Sequence, residues 1–501
     1  MKAQHAIRNI IIIVFCLIPL RHWALSFDEM LSTMDATSLP QVNVMLNLDS
    51  LSSNQFTPGM IVIAEHNGEE IITTQYNCLV RHRGKTALQL PKMSLSIKLV
   101  DDEGENLDVN LLGLRTDNSW NLDAMGIDKM RMRNRVCFDI WNEYSHTMWD
   151  TKYGNRNGIV GKMVELFING QYYGIYHLSD KVNRQLLNLR KAKTNDDGTV
   201  TVKGLLYKGA HNGISNNLLD YIEDRTDTTL WNTFELQYPD DYTCLASWQP
   251  LIDLIDFNGK TELPYFREHY NEWYYTDNLI DYFILLIAFN IDDMPYNNTF
   301  LSIPDINFDH RYMITPWDLD ACLGRGCDGS PRHIFSYLSQ LTSKAPYNRL
   351  ITYNIDGFKQ LVKQRWDELA NTVLSPDNVE SHITEIAQRY IESGAWQREY
   401  ERWKDASDSR VIIGENLNDE VNYVMQWYRG NHSSLNEQFM RWSSDYVEDP
   451  NIITSAVITS IYNYLLGIDT SEVDKVDINK DGIVTAADIT AAYDIMLNNN
   501  F

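Results

Sequence analysis

The stretch Phe289-Asn-Ile-Asp-Asp-Met-Pro-Tyr-Asn-Asn298 follows a long apolar helix pattern and combines acidic with amide side chains. Within it, Asn298 stands five positions after Asp293. A strand-like run, a turn and a second strand-like run then lead to Asp318, within Thr315-Pro-Trp-Asp-Leu-Asp320. The pattern predicts a β-hairpin that holds these two carboxylates and the amide in register.

This order of groups suits phosphoryl transfer. In protein kinases a catalytic-loop Asp accepts the proton of the acceptor hydroxyl, an Asn five residues later holds Mg²⁺, and a further Asp binds the metal beside the phosphates. Asp293, Asn298 and Asp318 match this order, and Asp320 adds a second carboxylate. Asp and Asn are also frequent in turns, because their side chains bond to nearby backbone groups. The spacing alone therefore leaves ordinary turn chemistry open.

The same residues, extended by Ile314-Thr-Pro-Trp-Asp-Leu-Asp-Ala-Cys-Leu-Gly324, resemble the motifs of the CotH family, the spore-coat-protein-H-like atypical protein kinases. The resemblance implies that Asp293 is the catalytic base and that Asn298 and Asp318, with Asp320, bind Mg²⁺. It also implies that ATP is the phosphate donor and that a Ser or Thr of a protein substrate is the acceptor. Asn297 stands where the family usually has His.

Two lysines belong to a segment that resembles the one that opens CotH domains, Arg83-Gly…Pro91-Lys92…Ile97-Lys98. The resemblance implies that Lys92 or Lys98 contacts the phosphates of ATP. In the predicted strand, the side chain of Lys98 shares a face with Ser94 and Ser96, where a nucleotide has room. Strand geometry favours Lys98, and a surface lysine that only covers apolar groups is the alternative.

Two further positions take their roles from the resemblance. A predicted hairpin with Asn169-Gly170 as its type I′ turn leads to Asp180, where the family has a Glu that braces the ATP lysine. Asp is one methylene shorter, so a weaker ion pair and reduced activity are expected. Arg133 belongs to a predicted helix over about 128–143 that matches a family helix. It contacts either a phosphate or a carboxylate, or it is a solvated helix residue.

The order of elements predicts an α+β fold, a bilobal atypical protein-kinase-like domain over residues 27–443. Strand patterns dominate residues 40–210, the β-rich small lobe, and helix patterns dominate residues 245–443, the helical large lobe. The competing interpretation is a catalytically weak or inactive pseudokinase that acts as a binding or scaffold protein. The short carboxylate of Asp180 favours this alternative, and the intact catalytic set opposes it.

Residues 444–501 contain an internal repeat, in which 453–466 aligns with 484–497. The second copy is preceded by Asp477-Ile-Asn-Lys-Asp-Gly482. Oxygen ligands at loop positions 1, 3, 5, 7 and 12, with Gly at position 6, are the pattern of an EF-hand calcium loop. The predicted Ca²⁺ ligands are Asp477, Asn479, Asp481, the carbonyl of Ile483, and Asp488. The repeat resembles a dockerin, which implies a cohesin-bearing scaffold as partner. The first copy has lost its ligands, so one Ca²⁺ is expected.

Residues 1–26 are predicted to be a signal peptide, because basic residues precede an apolar run over 10–20 that is too short to span a bilayer. The chain is therefore expected to be secreted or cell-surface-associated and bacterial. No later segment is apolar enough for stable membrane insertion. The formal net charge of −25 argues against binding to nucleic acid or to anionic membranes, because phosphates would be repelled.

The cysteines of the predicted mature chain, at 78, 137, 244, 322 and 327, have no spacing typical of a zinc site. The sequence leaves a disulfide between Cys322 and Cys327 open. Five cysteines leave at least one unpaired.

Overall fold

The computed structural model describes residues 26–239, 243–292, 295–333, 341–443, 455–466 and 476–498. The predicted signal peptide, apart from Ser26, and the predicted catalytic Asp293 lie outside the described residues. The fold is a mixed α+β arrangement, as the sequence predicts, with a closed barrel, a second sheet and many helices.

Seven strands close into a barrel in the order β1-β2-β3-β4-β7-β9-β8. The strands up to the end of the barrel are β1 (Gln41–Leu46), β2 (Thr57–His66), β3 (Ile71–His82), β4 (Leu95–Val100), β5 (Val109–Asn110), β6 (Thr116–Asp117), β7 (Ser119–Asp123), β8 (Gly161–Ile168) and β9 (Gln171–Ser179). Strands β5 and β6 form a separate pair, and the parallel pairing of β1 with β8 closes the barrel.

The two faces of β4 differ in the way that the sequence predicts. Leu95, Ile97 and Leu99 are fully buried in the barrel core. Because successive side chains of a strand point to opposite faces, Ser96 and Lys98 lie on the outer face of the barrel. Both residues interact with Lys181, which belongs to the site described below.

The hairpin of β8 and β9 turns at Asn169 and Gly170, as predicted. Both residues have positive φ, 51° and 78°, which a type I′ turn requires. The side-chain oxygen of Asn169 also accepts a hydrogen bond from the backbone N–H of Leu46 at 2.9 Å, which fastens the turn to β1. Strand β9 then ends directly before Asp180.

The second sheet has the order β13-β14-β12-β15-β16. The remaining strands are β10 (Lys193–Thr194), β11 (Val200–Thr201), β12 (Leu205–Gly209), β13 (Leu230–Trp231), β14 (Phe234–Tyr238), β15 (Thr299–Ile303) and β16 (Met313–Pro316). Strands β15 and β16 form the predicted hairpin, with Thr299 opposite Pro316. Strand β12 lies beside it, so that Lys208 is opposite Phe300.

Most of the helices follow the barrel in the chain, and one of them, α5, packs against β16. They are α1 (Phe27–Ser32), α2 (Arg133–Tyr144), α3 (Leu245–Lys260), α4 (Leu263–Trp273), α5 (Thr276–Ala288), α6 (Tyr347–Thr352), α7 (Phe358–Ala370), α8 (Pro376–Glu392), α9 (Ala395–Trp403) and α10 (Leu417–Met440). Nearly all of α5 is buried, and it ends immediately before the loop that begins at Phe289. Packing of α5 therefore fixes where that loop starts.

Two helices in the C-terminal part, α11 (Ser455–Leu465) and α12 (Ala486–Asn498), pack against each other. Their small core consists of Ile458, Ile461, Val476 and Ala492. In the described part of the chain, every helix is too short or too polar to cross a lipid bilayer.

Candidate functional site

The loop before β15 lies against the segment after β16. The backbone N–H of Asp292 donates to the carbonyl of Ala321 at 2.8 Å, and that of Trp317 donates to the carbonyl of Asn298 at 2.9 Å. Asn298 and Asp318 therefore lie at the same end of the β15–β16 hairpin, as the sequence predicts. Asp293 itself lies outside the described residues.

Several residues of this loop and segment have the left-handed backbone conformation. The φ angles of Asn298 and Asp318 are 54° and 59°, which Asn and Asp tolerate better than other residues do. Tyr296, with φ of 69°, has no such tolerance, and its hydroxyl is anchored to the carbonyl of Ala345 at 2.6 Å. Each such residue costs on the order of 1–3 kcal/mol, and backbone strain of this kind is concentrated at functional sites.

Gly209 allows the loop to approach β12. The backbone N–H of Asn298 donates to the carbonyl of Gly209 at 3.0 Å. A Cβ atom at position 209 would lie only 1.5 Å from the carbonyl oxygen of Tyr296. Glycine is therefore required here for close packing of backbone on backbone, and this contact fixes Asn298 beside the sheet.

Carboxylates gather behind the Pro-Trp-Asp segment. Burial, followed by the negative charges of Asp318, Asp123 and Asp128, raises the pKa of Asp320 well above its usual range. Asp123 accepts hydrogen bonds from the side chains of Ser94 and Asn134, each at 3.2 Å. Concentrated negative charge of this kind favours a cation at the site.

Asn134 connects helix α2 with the acidic segment. Its side-chain oxygen accepts the backbone N–H of Leu319 at 3.0 Å, while its amide nitrogen donates to Asp123. Neither Asn134 nor Asp123 is predicted from the sequence to have a role. The neighbouring Arg133 drew attention to this helix, but residue type alone does not reveal which of its side chains faces the loop.

Two positively charged side chains lie over the ring of Trp317. The guanidinium of Arg83 and the ammonium of Lys208 are 5.5 Å and 5.7 Å from the Trp317 ring centroid. Lys208 is partly buried, and burial lowers its pKa, while the negative charges of Glu235 and Asp318 raise it. Lys208 and Asp318 are therefore close enough to interact across this site.

Lys181 extends the positive region along the outer face of β4. Its ammonium donates to the hydroxyl of Ser96 at 2.7 Å. Burial, with the positive charges of Arg83, Arg81 and Lys98, lowers the pKa of Lys181 to about 7. We call the following residues the cationic cluster: Arg81, Arg83, Lys98, Lys181 and Lys208. Sequence reasoning did not single out Lys181 or Lys208, although both stand at the ends of predicted strands.

The two lysines of the predicted nucleotide segment lie in different places. Lys98 lies on the outer face of β4, next to Lys181. The ammonium of Lys92 is fully buried, 3.2 Å from a carboxylate oxygen of Glu399, and donates to the carbonyl of Ala124 at 2.7 Å. Glu399 also accepts a hydrogen bond from Arg131 at 2.7 Å. Lys92 thus joins the barrel to α9, and the structure does not bring it to the cationic cluster.

The expected brace between Asp180 and a lysine is not formed. The fully buried carboxylate of Asp180 accepts hydrogen bonds from Arg115 at 2.9 Å and Arg156 at 2.8 Å. The backbone N–H of Val160 donates to its other oxygen at 2.8 Å. Two guanidinium groups and one backbone amide satisfy this carboxylate, and it has no lysine partner among the described residues. Lys181, one position later, points to Ser96 instead.

Arg133 is an internal residue, so the solvated-helix interpretation is wrong, and it contacts carboxylates, which is another of the predicted alternatives. Its guanidinium forms ion pairs with Asp128 and with Glu420, the latter at 2.7 Å. It also donates to the carbonyl of Cys322 at 3.1 Å. Burial with two carboxylates explains the placement, because a buried guanidinium requires paired negative charge. Arg133 thereby joins α2 and α10 to the segment that follows Asp320.

In the predicted calcium loop, backbone N–H groups donate hydrogen bonds to two of the loop's own carboxylates. Asp477 accepts the backbone N–H groups of Asp481 at 3.2 Å and Gly482 at 2.8 Å. Asp488 accepts the N–H groups of Ile478 at 2.9 Å and Thr485 at 2.8 Å. The φ of Gly482 is 86°, as the sharp turn at position 6 requires. The carboxylates of Asp477 and Asp488 therefore both lie against the backbone of one loop, an arrangement compatible with the predicted Ca²⁺ site.

Within the described residues, no group of three or more His, Cys, Asp or Glu side chains is placed so as to hold a metal ion. This finding is compatible with the predicted Mg²⁺ and Ca²⁺ sites. Mg²⁺ commonly takes only one or two carboxylates, with phosphate and water oxygens completing the octahedron, and EF-hand loops use amide and carbonyl oxygens as well.

A family model described as CotH kinase protein matches residues 80–435, more than two thirds of the 501-residue chain. The matched part contains the cationic cluster, Asn298 and Asp318. A comparison with curated proteins gives no match.

Proposed function

We propose that this chain, which belongs to the CotH kinase protein family, transfers the γ-phosphate of ATP to a Ser or Thr hydroxyl of a protein. The main support is that Arg83 and Lys208, two members of the cationic cluster, lie over the ring of Trp317, and that Lys208 interacts electrostatically with Asp318. Transfer of a phosphoryl group depends on positive charge around the phosphates and on carboxylates that hold the metal. Both features meet here.

In this proposal Asn298 and Asp318, with Asp320 behind them, hold Mg²⁺. The metal would supply charge neutralisation between the β- and γ-phosphates. Lys181 and Lys208 contact the phosphate oxygens, since their ammonium groups lie in the cationic cluster. The hydroxyl of Ser96 orients Lys181. Lys98 adds positive charge nearby, and Lys92 has no part in binding.

Asp293 is the proposed base that orients the acceptor hydroxyl and removes its proton. Its described neighbours are held firmly, because Asp292 bonds to Ala321 and Asn298 bonds to Gly209 through the backbone. The bilobal arrangement belongs to the proposal as well. The barrel corresponds to the small lobe and the helices after residue 245 to the large lobe.

One observation favours the alternative function, a pseudokinase that serves as a scaffold. The carboxylate of Asp180, which was expected to brace a lysine, is occupied by Arg115 and Arg156. Without that brace, either another group orients the lysine that contacts the phosphates, or no group orients it. The hydrogen bond from Lys181 to Ser96 supports the first possibility, and nucleotide binding separates the two functions.

Thermal unfolding with and without Mg²⁺ and a non-hydrolysable ATP analogue tests the proposal. We expect the analogue at about 100 times its Kd to add about 2.7 kcal/mol to the free energy of unfolding and to raise the Tm by several degrees. Mg²⁺ alone should have little effect, and chelation of Mg²⁺ should reduce the shift. An unchanged Tm at saturating analogue would contradict the kinase function and support the scaffold.

The C-terminal part completes the proposal. We propose that residues 444–501 form a dockerin-like module that binds one Ca²⁺ and attaches a secreted or cell-surface-associated protein to a cohesin-bearing scaffold. The loop from Asp477 to Asp488 supports calcium binding, and the packing of α11 against α12 supports a paired-helix module. The oxygens of Asp477, Asn479, Asp481, Ile483 and Asp488 would hold the ion, and the ion would neutralise the negative charge of the loop carboxylates.

The full chain should therefore bind a single Ca²⁺ in this loop. Asp477→Ala combined with Asp488→Ala should abolish binding, because a site that loses two carboxylates retains too few charged oxygens. Calorimetric titration of the metal-free protein measures the stoichiometry. Asp494→Ala, in an exposed position of α12, is the matched control and should bind normally. Two ions per chain, or unchanged binding by the double variant, would disprove the assignment.

A further inference from the structure

Two buried cysteines lie against each other behind the acidic segment. Cys137 is on α2, and Cys322 follows Asp320 by two positions. Their Sγ atoms are 3.3 Å apart, and both side chains are fully buried. The described cysteines at other positions do not share this arrangement, since Cys78 is buried in the barrel core and Cys244 and Cys327 are exposed.

The two cysteines are distant in sequence, with a separation of 185 positions. Their approach is nevertheless fixed by neighbouring contacts between the same two elements. Arg133 donates to the carbonyl of Cys322 at 3.1 Å, and Asn134 accepts the backbone N–H of Leu319 at 3.0 Å. The start of α2 is thus already fastened to the segment 319–322. A disulfide has an S–S length of about 2.05 Å, so the sulfurs need to approach by only about 1.3 Å.

We infer that Cys137 and Cys322 form a disulfide when the chain folds in oxidising surroundings, and that this bond fastens the segment carrying Asp318 and Asp320 to α2. Cys327, which the sequence left open as the partner of Cys322, is exposed while Cys322 is buried. The inference does not depend on phosphotransfer, because it concerns only the packing of α2 on this segment.

The reaction is a thiol–disulfide exchange with a small disulfide such as oxidised glutathione. A thiolate of one cysteine attacks the oxidant, which releases one glutathione thiolate and forms a mixed disulfide. The thiolate of the second cysteine then displaces the second glutathione. Two protein thiols are oxidised to one disulfide, and their two protons pass through solvent to the two glutathione thiolates, so that the oxidant is reduced to two thiols. Because the pair is buried in the folded protein, exchange takes place while the chain folds.

The bond closes a loop of nearly 190 residues, so it should restrict the unfolded chain strongly and stabilise the folded one. We expect the Tm of the oxidised protein to exceed that of the reduced protein by several degrees. The effect should disappear in Cys137→Ala and in Cys322→Ala. Cys78→Ala is the matched control, since it also removes a buried thiol, and it should retain the difference between oxidised and reduced protein.

The direct test is to refold the full chain in a mixture of reduced and oxidised glutathione, alkylate the remaining thiols in denaturant, and identify linked peptides by mass spectrometry without reduction. A peptide pair containing Cys137 and Cys322, with Cys78, Cys244 and Cys327 alkylated, is the expected result. A pair containing Cys322 and Cys327, or complete alkylation of both buried cysteines, would overturn the inference. This test uses the wild-type sequence, so its result does not depend on whether an alanine variant folds.

Discussion

Replacement of Asp293 by Asn is expected to reduce ATP turnover by about a hundredfold or more and to leave Mg²⁺–ATP binding nearly unchanged. Replacement of Asp318 by Ala is expected to abolish Mg²⁺–ATP binding itself. The difference arises because the proposed base acts only on the acceptor hydroxyl. The proposed metal ligand, in contrast, neutralises charge that is present as soon as the nucleotide binds. Calorimetry with a non-hydrolysable analogue and a turnover assay measure the two effects separately.

Asp292→Asn is the matched control for the catalytic assignment. Asp292 precedes Asp293, and its carboxylate lies 3.1 Å from the guanidinium of Arg332. We expect this variant to retain most of the turnover. An equal loss of turnover in Asp292→Asn and Asp293→Asn would show that the wrong carboxylate, or the loop as a whole, has been assigned the role of base. Normal Mg²⁺–ATP binding by Asp318→Ala would overturn the metal assignment.

Local patterns predict the hairpin at the centre of the site well. Alternating residues on both sides of a turn predict β15 and β16, and their pairing places Asn298 and Asp318 at one end. The Asn169-Gly170 turn is similarly local, because few other dipeptides accept two successive positive φ angles. Helix α5 is predicted by the apolar run that precedes Phe289. These features depend on interactions between residues close together in the chain.

The partners of buried charges are not predicted, since they come from distant parts of the chain. Lys92 meets Glu399, and Arg133 meets Glu420, both on helices near the end of the matched region. Asp180 was expected to meet a lysine, but Arg115 and Arg156 satisfy it. A strand or helix pattern shows that a side chain is turned inward. It does not show which opposite charge the packing of another helix brings to it.

The position of Lys181 illustrates the same limit. Sequence similarity directs attention to Asp180 as a brace for the ATP lysine, and Lys181 is only the next residue. At the end of β9 the two side chains diverge, so that Asp180 is buried between arginines while Lys181 bonds to Ser96 on the outer face of β4. The cationic cluster cannot be predicted from local patterns, because it forms only where tertiary packing brings strands β3, β4 and β12 close to the β15–β16 hairpin.

Lys181→Met should therefore weaken Mg²⁺–ATP binding by about tenfold or more, because a charge-assisted hydrogen bond to phosphate is lost. It should also remove a pH dependence. The pKa of Lys181 is about 7 without nucleotide, so the ammonium loses its proton as the pH rises above 7. Bound phosphates favour the charged form and raise this pKa. Binding should then take up a proton just above neutral pH, and affinity should fall as the pH rises through this range.

Calorimetry in two buffers of different ionisation enthalpy measures the proton uptake directly. Lys162→Met, at an exposed position of β8, is the matched control and should keep both the affinity and the uptake. Lys208→Met should also weaken binding, since Lys208 lies at Trp317 beside Asp318. Full affinity in Lys181→Met with unchanged proton uptake would exclude Lys181 from the phosphate site. Removal of a positive charge that lies near other positive charges should not lower the Tm. Weaker binding by Lys181→Met at an unchanged Tm would therefore identify the lost charge, and not unfolding, as the cause.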